Sequence, residues 1–150
     1  MNEKGNFFRV FVDTNVLISA MASKASVSRK ALLLLSEEHR LIICSYSIEE
    51  VSGVLSKKFP DKLAEWDQLL TRLEFELIYT PPDISAFEVP HIRDPKDLPI
   101  LVSAMVAQPD IIVTGDLDFR TPEIQEYFTI MTPADFLNAY SEKDKDIGNN

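Results

Sequence analysis

The stretch Phe7-Phe8-Arg9-Val10-Phe11-Val12-Asp13-Thr14-Asn15-Val16-Leu17-Ile18 narrows the folds open to this chain more than any other. A short apolar run stops on a carboxylate and passes at once into a second apolar run of helical character, which reads as a buried strand feeding a helix. In a parallel α/β sheet the carboxyl ends of the strands and the starts of the following helices share one edge, and ligands bind there. A carboxylate at the end of so apolar a strand is poorly explained by capping alone, because a charge near a core is rarely tolerated without a partner or a metal. Asp13 is therefore expected to mark a functional edge.

The same alternation continues downstream. Val27 to His39 predicts a well-buried helix, since Ala31 to Leu35 is continuously apolar. Leu41 to Cys44 predicts a second strand, Ile48 to Lys58 a helix with Val51, Val54 and Leu55 on one face, and Asp61 to Leu73 a helix with Trp66 and several leucines at helical spacing. Phe75 to Tyr79 alternates in a way that suits an edge strand. Thr80 to Pro95 carries Pro81, Pro82, Pro90 and Pro95 without a helical period, and connections of this length are often functional. Asp97 to Gln108 predicts an apolar helix, Asp110 to Thr114 and Phe128 to Met131 two more strands, and Pro133 to Tyr140 a last helix opened by Thr132 and Pro133. Strands separated by helices imply crossover connections, hence an α/β fold with a mostly parallel sheet of about five strands and helices on both faces. The expected domain is 1–140, followed by a polar, disordered tail over 141–150.

Composition narrows the chemistry. With 150 residues and 45% hydrophobic content the chain can bury the core of one domain. Its 24 acidic and 15 basic residues give a net charge of -9, which argues against a passive nucleic-acid coat. An enzyme acting on nucleic acid stays open, because bound cations reverse the field at a carboxylate cluster. The single cysteine, Cys44, cannot form an internal disulfide and sits in an apolar run where packing is its role. No apolar stretch is long enough to span a bilayer and Met1 to Asn6 lacks a signal-peptide core, so a cytoplasmic protein is expected. His39 and His91 are isolated and offer no zinc spacing. There is no nucleophile elbow, phosphate-binding glycine loop or dinucleotide fingerprint, and only four glycines from which to build one.

Three further carboxylates fall at strand-to-helix junctions. Glu50 is placed in the first turn of the helix after the second strand, Asp97 opens the helix after the long loop, and Asp116 follows the fourth strand in Val113-Thr114-Gly115-Asp116-Leu117-Asp118-Phe119. By topology all three belong to the edge that holds Asp13. Each also has a plain structural explanation. Ser47 and Glu50 fit a capping box, Asp94-Pro95-Lys96-Asp97 offers an N-cap with proline at the first helical position, and Gly115-Asp116 and Asp118 suit a turn. Crowded together, however, these carboxylates would raise one another's proton affinity unless a cation neutralised them. Mg²⁺ and Mn²⁺ favour such oxygen donors, and a carboxylate-bound ion with open positions suits phosphoryl chemistry, where it activates a water and offsets charge on the leaving oxygen.

With these residues in view, the chain resembles the PIN-domain ribonucleases. The matching phrases are Val12 to Leu17, Ile48 to Val51, Asp94 to Leu101, and Ile112 to Phe119, in the family's order, with the likeness running from about Arg9 to Leu137. Within the family the chain is most similar to the VapC toxins of prokaryotic toxin–antitoxin pairs. The resemblance implies a parallel sheet between helices and Mg²⁺- or Mn²⁺-dependent hydrolysis of RNA leaving a 5′-phosphate. It implies Asp13, Asp97 and Asp116 as metal ligands, Glu50 as a metal-binding or water-positioning acid, Asn15 and Thr114 as polar supports, and Asp118 extending the site toward a second metal; the adjacent Glu49 is the alternative to Glu50, and Asp94, beside Asp97, is placed at the helix cap. It also implies a small antitoxin partner and a homodimer with an exposed apolar helix face. Arg93 and Arg120 are the candidate phosphate contacts, with Lys57, Lys58, Arg29 and Lys30 as further cations along an RNA strand. A catalytically weak PIN module that binds RNA or a protein is the alternative, and a phosphatase or receiver-type acidic pocket is a third reading.

Overall fold

The computed structural model describes residues 7–141, so the expected signal-free N-terminus and nearly all of the tail lie outside the described residues. Among the described residues five strands form one sheet: β1 (Arg9–Val12), β2 (Arg40–Cys44), β3 (Glu76–Ile78), β4 (Ile111–Val113) and β5 (Thr129–Met131). Their order is β3-β2-β1-β4-β5 and every pairing is parallel. β3 lies at an edge, as its alternating sequence suggests. The chain winds outward from β1 on one side and then returns to build the other, which puts the reversal of strand order beside β1.

Among the described residues seven α-helices cover the sheet: α1 (Thr14–Ala22), α2 (Val27–Glu38), α3 (Ser45–Lys58), α4 (Leu63–Arg72), α5 (Leu98–Ala107), α6 (Pro122–Gln125) and α7 (Pro133–Tyr140). Strand side chains alternate between two cores. Val10, Val12, Leu41, Ile43, Ile111 and Val113 face α1, α2, α3, α4 and α7, where Leu17, Leu35, Leu55, Trp66 and Phe136 are buried. Phe11, Ile42, Cys44 and Ile112 face the other way, against Leu101 and Ala104 of α5 and against Phe119 and Ile124. With both faces covered, the central strands carry almost no polar residue, the usual mark of a parallel sheet. Cys44 is buried in the second core, as its apolar neighbours imply. Among the described residues no helix is long and apolar enough to cross a membrane.

Several boundaries differ from the sequence expectation. α3 begins at Ser45 rather than Ile48, directly after β2 and without a side-chain cap. Thr80, at the exit of β3, satisfies the helix start instead: its hydroxyl accepts from the Tyr46 N–H at 3.2 Å, and its own N–H donates to Ser45 Oγ at 2.9 Å. Because an orphan donor of the helix start is satisfied from the segment after β3, no local cap signal is needed. The helix expected from Asp61 opens as a 3-10 turn, Pro60–Lys62, before α4. Likewise Pro95–Asp97 is a 3-10 turn capped by Asp94, and α5 starts one residue later at Leu98. The long loop is irregular apart from a 3-10 turn at Ile84–Ala86, and it is anchored by the buried Ile92.

Candidate metal centre

β1 delivers Asp13 to the carboxyl edge, where the carboxylate is only 1% exposed. One oxygen, Oδ1, accepts from the Val16 N–H at 3.0 Å and so caps α1. The other, Oδ2, accepts from the Thr114 hydroxyl at the end of β4. Thr114 Oγ1 also accepts from the Asp116 N–H at 3.0 Å, so one buried threonine ties the first acid to the last. α1 is tied to α3 in the same manner: the Thr14 hydroxyl donates to Ser47 Oγ at 2.9 Å, wholly inside the protein. Ser47 is thus a buried interhelical bolt and not a cap, and Glu50 sits beyond the first turn of α3.

A cavity of about 170 Å³ opens at this edge, lined by Asp13, Asn15, Ile18, Glu50, Asp97 and Ile100 among others. Glu50 lines it, whereas the adjacent Glu49 is exposed on another face of the helix. Asp116 stands at its side: one oxygen each from Asp97, Asp116 and Asp118 lie within 4.8 Å of one another. Asp97 therefore belongs both to the cavity and to the triad. Neither Glu50 nor Asp97 makes a side-chain hydrogen bond that caps a helix, so their positions have no capping explanation. Asp116 does serve its turn, accepting from the Asp118 N–H at 2.9 Å.

The electrostatics match this crowding. Burial above all, then the charges of Asp116 and Glu50, push the Asp13 carboxyl up to about 6 against hydrogen bonds from Thr114 and Val16 that pull it down. Asp97 rises to about 7 through burial, the charges of Asp116 and Asp94, and hydrogen bonding to the Asp116 carboxyl. Both carboxyls thus titrate near neutrality. A hard divalent cation would relieve that repulsion, and a set of carboxylate oxygens spaced under 5 Å is the donor chemistry such an ion takes.

The remaining candidates are distributed unevenly. Asn15 is exposed on the cavity rim. Arg93 reaches out of the long loop and grips both oxygens of Asp118, Nε to Oδ1 at 2.9 Å and Nη2 to Oδ2 at 3.0 Å. Arg120 turns to α7, where it pairs with Asp135 at 3.2 Å. Lys57 and Lys58 occupy the last turn of α3, where they complement the helix dipole, and Lys30 is exposed. Arg29 is not placed to follow an RNA strand: it is buried and donates to the Ala20 carbonyl at 3.1 Å, completing the end of α1. His39 is a buried helix-end residue whose Nδ1 accepts from the Phe8 N–H at 3.1 Å, far along the strands from the acids. Tyr46 has no counterpart among the sequence candidates. Burial first, then the charges of Glu50 and Asp97, raise its phenol, which places it beside the acids. The available signal is its position four residues before Glu50, on one helical face.

The chain is similar to VapBC2 from Rickettsia felis, solved bound to a DNA fragment from their promoter, with 19% identity and a TM-score of 0.61 over 82% of this chain and 97% of that one. It is similar to DNA-bound VapBC from Salmonella typhimurium to the same degree, 19% identity and a TM-score of 0.61, over 85% of this chain and 99% of the other. At these identities the likeness is one of fold. No curated protein matches the chain. Residues 9–118, which contain every junction acid described above, match the family pattern of the PIN domain, and the chain belongs to that family.

Proposed function

We propose that this PIN-domain protein is a divalent-metal-dependent endoribonuclease that hydrolyses RNA phosphodiester bonds to leave a 5′-phosphate, acting in the cytoplasm as the toxin of a toxin–antitoxin pair. The observation that carries the proposal is the meeting of Asp13, Glu50 and Asp97 around one cavity with Asp116 at its side, two of the four carboxyls being held near neutral pKa by the others and by burial. Asp13, Asp97 and Asp116 are the residues that would hold the ion. When bound there, Mg²⁺ or Mn²⁺ supplies Lewis-acid polarisation of a phosphoryl oxygen and acidifies a water.

The chain's own groups divide the rest of the work. Glu50, which lines the same cavity, accepts the proton released by the attacking water at its carboxylate. Thr114 fixes the Asp13 carboxylate in one orientation, and Asn15 presents its amide to the substrate from the rim. Arg93 and Arg120 contact RNA phosphates, Arg93 more directly because its side chain is 77% exposed against 35% for Arg120. The antitoxin and a second copy of the chain belong to the same proposal. The groove between α2 and α7, lined by Val27, Leu33, Leu34 and Leu137, supports a partner on that face. The fold of the two VapBC structures supports the toxin reading.

The test is cleavage of a single-stranded oligoribonucleotide with Mn²⁺ by wild type, Glu50→Gln and Glu49→Gln, with EDTA as control. Wild type and Glu49→Gln are expected to cleave alike, and Glu50→Gln at least about 100-fold more slowly. Equal cleavage by all three would refute the assignment. In cells, growth arrest on expression that Asp116→Asn relieves is the expected result, and equal toxicity of the variant would count against catalysis.

A further inference from the structure

Asp118 stands with Asp97 and Asp116 in the oxygen triad, yet both of its oxygens are already engaged by one guanidinium. We propose that Asp118 is a positioning residue for Arg93 and not a ligand of the metal centre, and that the free edge of Arg93 binds the phosphate of an RNA nucleotide beside the one cleaved. This inference rests on the nuclease reading above.

The two partners differ in how they are anchored. The Asp118 side chain is 17% exposed and that of Arg93 77%, so the carboxylate is rooted and the guanidinium reaches into solvent. Asp118 is rooted in the turn that carries Asp116, since its N–H donates to Asp116 Oδ1 at 2.9 Å. Arg93 in turn lies just ahead of Asp94, whose carboxylate caps the turn leading to Asp97. The pair therefore links the two segments that supply site acids, and it fixes the guanidinium relative to both.

A guanidinium has five N–H donors. Asp118 takes one from Nε and one from Nη2, and the other three, two on Nη1 and one on Nη2, have no partner among the described residues. They form the end of the fork, which matches two oxygens of a phosphate. An exposed ion pair contributes little to stability, so holding the fold together does not account for this geometry. A chain of net charge -9 also needs a local cation where a polyanion must approach its acids. Each Asp118 oxygen keeps a lone pair, but a metal sharing them would bring its positive charge against the guanidinium, whereas the donors on Asp13, the Val16 N–H and the Thr114 hydroxyl, are neutral.

Asp118→Asn, Arg93→Ala, Arg93→Lys and the Asp118→Asn/Arg93→Ala double variant separate the two roles, with far-UV circular dichroism as the folding control. Three quantities are read: calorimetric Mn²⁺ binding, kcat and KM on a fluorescein-labelled single-stranded oligoribonucleotide, and its affinity by anisotropy. The expected result is Mn²⁺ stoichiometry and affinity within two-fold of wild type for all four. KM is expected to rise about 10-fold or more in Arg93→Ala with little rescue by lysine, which lacks the fork, and several-fold in Asp118→Asn. The double variant should be no worse than Arg93→Ala, because Asp118 acts through Arg93. Loss of a bound Mn²⁺, or a 10-fold weaker one, in Asp118→Asn would overturn the proposal, as would additive effects on KM. Absence of cleavage by wild type would refute the nuclease reading instead, and the anisotropy and Mn²⁺ measurements would still decide the role of Asp118.

Discussion

Ionised Asp13 should make the metal-free protein less stable, by an amount that follows from its surroundings. Its carboxyl is lifted from an ordinary 3.8 to about 6 by burial and by Asp116 and Glu50. At about 1.4 kcal/mol per pH unit, that difference corresponds to about 3 kcal/mol once the group is ionised in both states. Between those two values the folded protein still holds a proton that the unfolded chain has released. The stability is therefore complete below about pH 4 and is lost as pH rises through about 6. Asp97 acts in the same direction, with a smaller effect because it is more open to solvent. Asp13→Asn removes the titrating charge and keeps Oδ1 to accept from Val16, so the cap on α1 survives, while the Thr114 hydroxyl loses its acceptor at a cost of about 1–3 kcal/mol that does not change with pH. The assay is chemical denaturation of both proteins in EDTA at several pH values from 4 to 8. Relative to wild type, the variant is expected to gain about 3 kcal/mol between pH 4 and pH 8, equivalent to a Tm change of roughly 6–12 °C for a chain of this size. Other carboxylates titrate in both proteins, so the difference between profiles isolates Asp13. Parallel profiles, or a difference that shifts in favour of wild type as pH rises, would refute the reasoning.

Other consequences follow from the same geometry. Mn²⁺ affinity should climb as pH rises through about 6 to 7, where Asp13 and Asp97 lose the protons that compete with the ion, and calorimetry showing a flat profile would contradict the proposed ligands. Ser47→Ala should cost about 1–2 kcal/mol in urea denaturation, because the buried Thr14 hydroxyl loses its acceptor. Gln108 ends α5 with φ of 50°, a left-handed conformation that favours glycine, so Gln108→Gly should raise stability by up to about 1 kcal/mol, read from the same denaturation curves.

The order of elements and the edge that gathers the acids are legible because both rest on strong local signals. Val10-Phe11-Val12 and Ile111-Ile112-Val113 are too apolar to be anything but buried, and a carboxylate or threonine follows each. Capping runs the other way. Glu50 and Asp97, which have tidy capping spacings, cap nothing, while Asp13, whose apolar strand argues against a capping role, caps α1. Capping spacings describe chain-local geometry, and Thr80 serves the start of α3 from 35 positions along the chain, beyond the end of β3. The same limit hides the role of Ser47 and the burial of Arg29, whose partners Thr14 and Ala20 are set by how helices pack and not by any spacing. α6 has four residues, too few for a hydrophobic period to register.

The hydroxyl that steadies Asp13 comes from a residue 101 positions further along the chain. Synthesis proceeds in that order, so a ribosome has already released β1, Asp13 and Glu50 while Asp97, Thr114 and Asp116 are still unmade. In that interval β1 lacks its β4 neighbour and half of the acids have nothing to converge upon. A nascent copy thus lacks the assembled acid cluster, which is complete only after the second half of the chain has docked against the first strand.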